Sequence, residues 1–359
     1  MKDIQCFSYN GGAIRLVGIV DDYSSFTFER SYSGIGEWQV VISGYSHNAD
    51  YFTRADFIKA GEGVAGLITK RTITHNETEY TITINGVELK GLAQKRIIIP
   101  TEGQAYLHYR ACPEAVIEGI ITTQLLAPSN AKRKIAGAIV RDGIESAKIT
   151  YNGRFQNAAE EITRLCEAYQ IGWYADIENG TIKWYVYHGV DRSASQSTNN
   201  RFIISFDYDT LVGGNYACSL YAVNTALVAG QGSGVERAIV MLGEENSALG
   251  RAEVYVDARD LEDVSLLPQR GKEKLAEYGS ENVFEITPAQ NTPYRVEYDL
   301  GDIGTFKEQN VDFRLCSITE VYENDNFTLD FVFGYDANTL AGAMKRITSN
   351  TDALLRRGE

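Results

Sequence analysis

YRVEYDLGDIGTFKEQNVDFRLCSITEVYENDNFTLDFVFG, residues 294–334, is the stretch from which the fold is read. Residues 294–298 alternate and end at Leu300-Gly301-Asp302, which predicts a strand and a stop. A strand over 303–306, a polar loop and a long strand over 313–322 follow. Asn324-Asp325-Asn326 predicts a tight turn, because Asn and Asp accept the left-handed backbone that turns need. Beyond it Phe327, Leu329, Phe331 and Phe333 share one face, with Thr328 and Asp330 on the other. That period of two is the pattern of a half-buried antiparallel strand. Nothing here has the look of a catalytic loop; the stretch reads as wall.

Working outward, the same pattern occurs once more. ITKRTITHNETEYTITINGVEL (68–89) and ITEVYENDNFTLDFVFGYD (318–336) both begin Ile-Thr, pass through a polar loop, and return as a strand with alternating apolar residues ending near a Gly. A Gly-bounded strand precedes each hairpin, so an internal duplication is the working expectation. The rest of 1–100 is also β in character. Strands are expected around Ile14–Val20, Phe26–Phe28, Glu37–Ile42, Val64–Ile73 and Tyr80–Ile84, the last ending at Asn85-Gly86. Five or more short strands at this spacing suggest a small barrel or a sandwich.

Residues 101–200 change character. Pro113 is placed to open a helix carrying Val116, Ile117, Ile120 and Ile121. Residues 155–170 are the clearest helix, with Phe155, Ala158, Ala159, Ile162, Leu165, Cys166 and Tyr169 in one stripe. Asn179-Gly180 between two aromatic strands is a strong hairpin signal. Helix and hairpin together form an α+β unit, with Trp173 and Trp184 packed beneath the helix. The polar run SASQSTNN (193–200) then reads as a linker. Residues 201–256 return to strands, including Leu220–Val228; 269–278 read as a short helix, and 337–357 as a terminal one.

The chain has 359 residues and a net charge of −14. That charge argues against a surface that grips phosphate backbones, and so against sequence-specific nucleic-acid binding. Five cysteines without a CxxC signal neither a zinc site nor a disulfide framework, and imply folding in a reducing compartment. No signal peptide and no membrane span are expected. The four histidines, His47, His75, His108 and His188, have no metal-ligand spacing. Gly230-Gln231-Gly232-Ser233-Gly234 lacks the Lys-Ser/Thr end of a phosphate-binding loop, and Ser129-Asn130-Ala131-Lys132 lacks its catalytic companions. Carboxylates number 48, so pairs such as Asp207/Asp209 or Asp257/Asp260 have no claim over chance. Asp299 and Asp302 read as turn residues. No catalytic, cofactor or metal residue is nominated, and an enzyme is not expected.

Taken together, GIGEWQVVIS (34–43), GEGVAGLITKRTI (61–73), INGVELKGLAQKRIIIP (84–100), the helix–hairpin unit 158–193, 224–261 and YRVEYDLGDIGTF (294–306) resemble the central hub proteins of phage tails, in order and in spacing. The likeness is to the tail hubs of long-tailed phages of Gram-positive bacteria and of related phage-tail-like particles. It implies a mainly β, α+β chain. Two tube-type antiparallel β-barrels are implied at 1–100 and at 201–256 with 283–336; an α+β helix–hairpin domain at 101–200, a helical insertion at 257–282 and a C-terminal helix or tail at 337–359 complete it. It also implies a homotrimer in which six barrels match a six-fold tail tube to a three-fold tip. The implied partners are a hexameric distal tail or tube protein, a tip, spike or fibre protein, and the tape-measure protein or DNA in the lumen. The implied location is the virion, at the tail tip or baseplate, after assembly in the bacterial cytoplasm. An acidic lumen that lets DNA slide is one reading of the negative charge. Gly230, Gly232, Gly234, Arg237 and Arg251 are the candidate interface residues. The alternatives are a tail-associated peptidoglycan hydrolase, and a carbohydrate-binding β module suggested by 22 Tyr with Trp173 and Trp184.

Overall fold

The architecture is that of a computed structural model, which describes residues 2–218, 223–243, 248–261, 263–278, 282–289, 294–323 and 326–334. The chain opens with β1 (Ile4–Asn10) and β2 (Ala13–Val20), which are antiparallel. Gly11 and Gly12 join them at φ 61° and 90°, a backbone that side chains resist. Next come β3 (Ser25–Ser31), β4 (Glu37–Ser43), α1 (Ala49–Arg54), β5 (Phe57–Lys59), β6 (Ala65–His75) and β7 (Tyr80–Glu88). The middle of the chain holds β8 (Leu107–Ala111), α2 (Pro113–Ile121), β9 (Gly137–Arg141), β10 (Ile149–Gly153), α3 (Ala158–Tyr169), β11 (Gly172–Glu178) and β12 (Thr181–Tyr187). β13 (Ile203–Ile204), β14 (Leu211–Cys218), β15 (Thr225–Ala229), β16 (Ile239–Leu242), β17 (Glu253–Asp257) and α4 (Leu267–Ala276) follow. The last strands are β18 (Asn282–Pro288), β19 (Ile303–Phe306), β20 (Val311–Glu323) and β21 (Asn326–Phe333).

Two compact units result, one of Met1–Gly213 with Ile286–Phe331 and the other built on Gly214–Glu285. A 13-stranded sheet, most of whose strands belong to the first, runs in the order β14-β18-β21-β20-β3-β4-β7-β6-β5-β1-β2, with β13 on β19 and β19 on β20; β14, β18 and β21 run across the boundaries of that division. This order contains one pattern twice. β3-β4-β7-β6 and β14-β18-β21-β20 each place the first, second, fourth and third strands of a set side by side. In each set an extra strand, β5 or β19, pairs with the third. The sets meet where β20 pairs antiparallel with β3, from Ser317 opposite Ser31 to Glu323 opposite Ser25. No closed barrel is found among the described residues; the two strand-rich blocks share one sheet, whose path ends at β14 and β2.

Burial explains the sheet. Along β3 Phe26 and Phe28 are buried, and on β4 Trp38, Val40 and Ile42; alternate side chains face out. β7 runs on past Asn85-Gly86, the expected strand end, to Glu88. Gly86 sits inside the strand because the Trp38 indole lies against its Cα, where a Cβ would come within 2.3 Å of the ring. In β21 Leu329, Phe331 and Phe333 are buried as the alternation predicts, while Phe327 stays exposed. Residues 294–298 are not a strand. They form a turn, closed by the bond from the Arg295 N–H to the Tyr298 carbonyl (2.9 Å), with Arg295 at φ 62°. In this turn Tyr294 and Arg295 reach polar partners and Tyr298 stacks on Phe202 at 3.8 Å, while Val296 is left exposed, so burial does not alternate.

Beside the sheet lies the helix–hairpin module. α2 starts at Pro113 as expected. α3 starts later than the stripe suggests, at Ala158, because the Asn157 side chain accepts from the Ala159 N–H (2.9 Å) and caps the helix there. Phe155 is therefore outside the helix, exposed, and at φ 66°. Asn179 and Gly180, at φ 50° and 70°, turn β11 into β12. Trp173 and Trp184 are fully buried in one core with Ile162 and Leu165 of α3. β9 adds to β12 in parallel, a pairing the sequence does not announce.

The second unit is a three-stranded sheet in the order β16-β15-β17, with β15 and β17 parallel and α4 against one face. Its core is Ala226, Val228, Val256, Ala258, Leu261 and Leu267. The expected turn at Asn324-Asp325, the start of the expected strand Leu220–Val228 and the expected helix at 337–357 lie outside the described residues.

Candidate assembly interface

A protein that acts as wall has edges and joints as its working parts. The joint between the two strand sets is held by more than its ladder. Glu320 of β20 is 1% exposed and accepts from Lys2 Nζ (2.9 Å), Arg295 Nη2 (2.7 Å), the Tyr294 hydroxyl (2.9 Å) and the Tyr322 hydroxyl (2.8 Å). Burial by itself would raise its pKa; Arg295 and Lys2 outweigh that and hold the carboxyl at about 2. Opposite Ile318 on the ladder, Arg30 donates to Asp299 (2.7 Å) and to the Tyr294 hydroxyl (2.8 Å). A second buried pair lies behind the joint. Lys90, with no exposed surface, donates to the Ser31 carbonyl (2.5 Å) and the Trp173 carbonyl (3.0 Å) and lies 3.1 Å from Glu88. Glu88 in turn accepts from the Gly36 and Ser31 N–H groups (2.8 and 3.2 Å). Burial pushes the Glu88 pKa up and the Lys90 pKa down, each opposed by the partner's charge.

Besides β2 at one end of the strand path, two stretches have no further strand beside them among the described residues. β6 pairs with β5 only over Ala65–Leu67, and Thr69–His75 are exposed. β14 ends the strand path, and Val212, Gly214, Asn215, Tyr216 and Ala217 are exposed. Within the repeated order, the free part of β6 corresponds to the part of β20 that takes β3, and β14 corresponds to β3. Open edges of this length invite another strand.

The candidate interface residues lie in the second unit, and the structure brings most of them together. Gly230, Gly232 and Gly234 form the link from β15 to β16. Gly232 is at φ 104°, where a Cβ would come within 2.8 Å of the Glu236 carbonyl oxygen. Arg237 does not project from this loop. It donates to the carbonyls of Gly230 (2.9 Å) and Ala229 (3.1 Å) and to Asp257 (2.9 Å), so it ties the loop shut. Arg251 bonds Glu253 (2.5 Å) and reaches Met241 Sδ (2.7 Å). Arg237 lies over the Tyr255 ring, 5.9 Å from its centroid. Leu227 stands between Met241 and Tyr255 in the register, so Arg237 and Arg251 flank an apolar sheet face. Ile239 and Tyr255 on that face are exposed. Sequence reading missed both; their place on alternate positions of short strands was the available signal.

Several of the carboxylates weighed in the sequence have cationic partners. Asp257 pairs with Arg237 and Arg259, Asp260 with Arg270, Asp299 with Arg30 and Asp302 with Arg192. His188 bridges two carboxylates, with Nε2 3.0 Å from Glu114 and Nδ1 2.9 Å from Asp142. It lies on the wall of a groove of about 560 Å³ whose other lining includes Arg30, Tyr174, Tyr185 and Asp299. Among the described residues no group of three or more His, Cys, Asp or Glu is placed to hold a metal ion. Among the described residues no helix is long and apolar enough to cross a membrane. Trp173 and Trp184, buried under α3, present no ring to a sugar.

A family profile described as Siphovirus ReqiPepy6 Gp37-like protein matches residues 9–335. No curated protein matches the chain. Solved structures do, at low identity. The tail protein from Neisseria meningitidis MC58 superposes with a TM-score of 0.59 at 11% identity, over 94% of this chain and 97% of that one. The 43 kDa tail protein of prophage MuSo2 from Shewanella oneidensis gives 0.59 at 11% identity, over 92% and 98%. Prophage tail protein gp18 from Listeria monocytogenes EGD-e gives 0.56 at 8% identity, over 97% and 99%. At these identities the likeness is one of fold.

Proposed function

Because the chain belongs to the Siphovirus ReqiPepy6 Gp37-like protein family, a phage tail family, we propose that it is the structural hub of a phage tail tip or baseplate. Three copies form a ring that adapts a six-fold tail tube to a three-fold tip. The observation that carries this reading is the strand order that occurs twice along one sheet. Three chains then offer six like-shaped strand sets. The β20–β3 joint inside the chain is the pattern for the joint between chains: the free part of β6 from one copy pairs with β14 of the next. Repeated three times, that pairing joins the strand sets into a ring and covers the β6 and β14 edges. The two tube-type barrels, one drawing on 1–100 and the other on β14 within 201–256 and on the strands of 283–336, are completed only in this ring. Residues 101–200, 257–282 and 337–359 serve as the α+β domain, the insertion and the tail.

Function follows from contact, without turnover. A hexameric distal tail or tube protein sits on one side of the ring and a tip, spike or fibre protein on the other. The tape-measure protein and then DNA occupy the lumen, whose acidic lining repels phosphate. The loop at Gly230, Gly232 and Gly234, held by Arg237, and the face beside Arg251 meet a neighbouring subunit. The protein resides in the virion after assembly in the bacterial cytoplasm.

Hydrogen exchange tests the edge pairing without altering the sequence. Amides of 69–75 and 212–217 are expected to exchange at least tenfold more slowly in the oligomer than in diluted monomer, since a tenfold change corresponds to about 1.4 kcal/mol of protection. Equal exchange in both forms would remove the β6–β14 joint.

A further inference from the structure

A second surface stands out against the acidity of the chain. Lys95, Arg96, Lys132, Arg133, Lys134 and Arg154 come from three separate segments of a protein with net charge −14. The backbone gathers them. The Ile98 N–H donates to the Gln156 carbonyl and the Phe155 N–H to the Ile98 carbonyl, both at 2.8 Å, which lays 96–99 alongside 154–157. On the other side Arg133 donates to the Ile97 carbonyl (2.7 Å), and Arg96 to the Arg133 carbonyl (3.0 Å). The two guanidiniums are close enough that, after burial, Arg96 is what pushes the Arg133 pKa down. Among the described residues none of the six cations makes an ion pair, although nine other Arg side chains there do.

Apolar surface is interleaved with this charge. Phe155 (49% exposed), Ile97 (49%), Ile99 (43%) and Tyr106 (46%) lie on the same segments. Arg154 lies over the Phe155 and Tyr106 rings, at 4.7 and 6.0 Å from their centroids. Phe155 holds φ 66°, a region costly for a bulky side chain, and gains no burial by it. An aromatic ring held out at a strain, beside unpaired arginines, has the make-up of an interface anchor.

We infer that this surface docks an acidic protein segment, whose carboxylates meet the lysines and arginines and whose apolar side chain seats against Phe155 and Ile97. Charge complementarity selects the occupant. The rest of the chain is strongly acidic, so a long polyphosphate backbone is repelled outside the patch, whereas a short acidic segment stays within it. The inference does not depend on the trimer.

The probe is a labelled twelve-residue peptide of alternating Glu and Leu, titrated into the full chain at low salt by fluorescence anisotropy. Saturable binding is expected, weakening as salt rises. The triple variant Lys132→Ser, Lys134→Ser, Arg154→Ser should weaken it about tenfold or more, and Phe155→Asn about tenfold, the range of a lost anchor. Asn accepts positive φ, so Phe155→Asn should melt no lower than the native protein, which separates loss of contact from loss of fold. Failure to bind the peptide, or equal binding by both variants, overturns the proposal. Tighter binding of an oligodeoxythymidine at the same salt overturns it in favour of nucleic acid. Competition by a second copy of the chain overturns it in favour of self-association.

Discussion

Lys90→Ala is expected to destabilise the protein by about 3–5 kcal/mol, the range for breaking a buried ion pair by removing one partner. The loss is not of attraction alone. Removing the ammonium leaves the Glu88 carboxylate buried, supported only by the Gly36 and Ser31 N–H groups. It also orphans the carbonyls of Ser31 and Trp173, which Lys90 now serves. These two carbonyls belong to different layers: Ser31 ends β3 of the large sheet, and Trp173 is in β11 of the hairpin. Lys90 therefore fastens the hairpin module to the sheet at the strand that makes the joint. The measurement is a urea titration of single and double variants. Lys90→Met with Glu88→Gln should lose less than the sum of the single changes, because no bare charge is left inside. Strict additivity would show that the two groups act independently.

Glu320→Gln is expected to cost on the order of 3 kcal/mol at neutral pH. The Glu320 carboxyl is held at about 2 against an ordinary 4.5. Each unit corresponds to about 1.4 kcal/mol between protonation states. A depressed carboxyl contributes stability that is fully present above its unfolded value and is lost as pH falls through its folded one. The native protein should therefore lose this contribution between about pH 4.5 and pH 2, while the Gln variant has none of it to lose. The gap between their denaturation midpoints should close over that window. A gap that stays constant down to pH 2 would mean that Lys2 and Arg295 do not act through the charge of Glu320.

Local chemistry was legible in the sequence. Asn179-Gly180 specifies its turn unaided, Pro113 marks the start of α2, and the alternation of Leu329, Phe331 and Phe333 gives a buried face. The likeness between 68–89 and 318–336 is carried into equivalent places in the repeated strand order. What failed was equally local. Tyr294–Tyr298 alternates as a strand would, but its polar side chains are drawn to Glu320 and Glu62, and the backbone turns to deliver them. Phe155 has helical spacing with Ala158 and Ile162, yet the Asn157 cap ends the helix before it. β9 has no partner nearby in sequence, and the β20–β3 joint spans nearly the whole chain, so no window of residues reveals either. The basic surface was hidden for the same reason: its cations arrive from 95–96, 132–134 and 154, and never form a run.

The central claim is that one chain carries two equivalent strand sets, so that three chains reproduce six-fold geometry. Rotational analysis of electron micrographs of the purified protein at high concentration tests it most directly. The account predicts a closed ring of three subunits with six-fold density around its inner wall and three-fold density outside. A ring of any other subunit number, or a trimer whose inner wall has only three repeats, would contradict it.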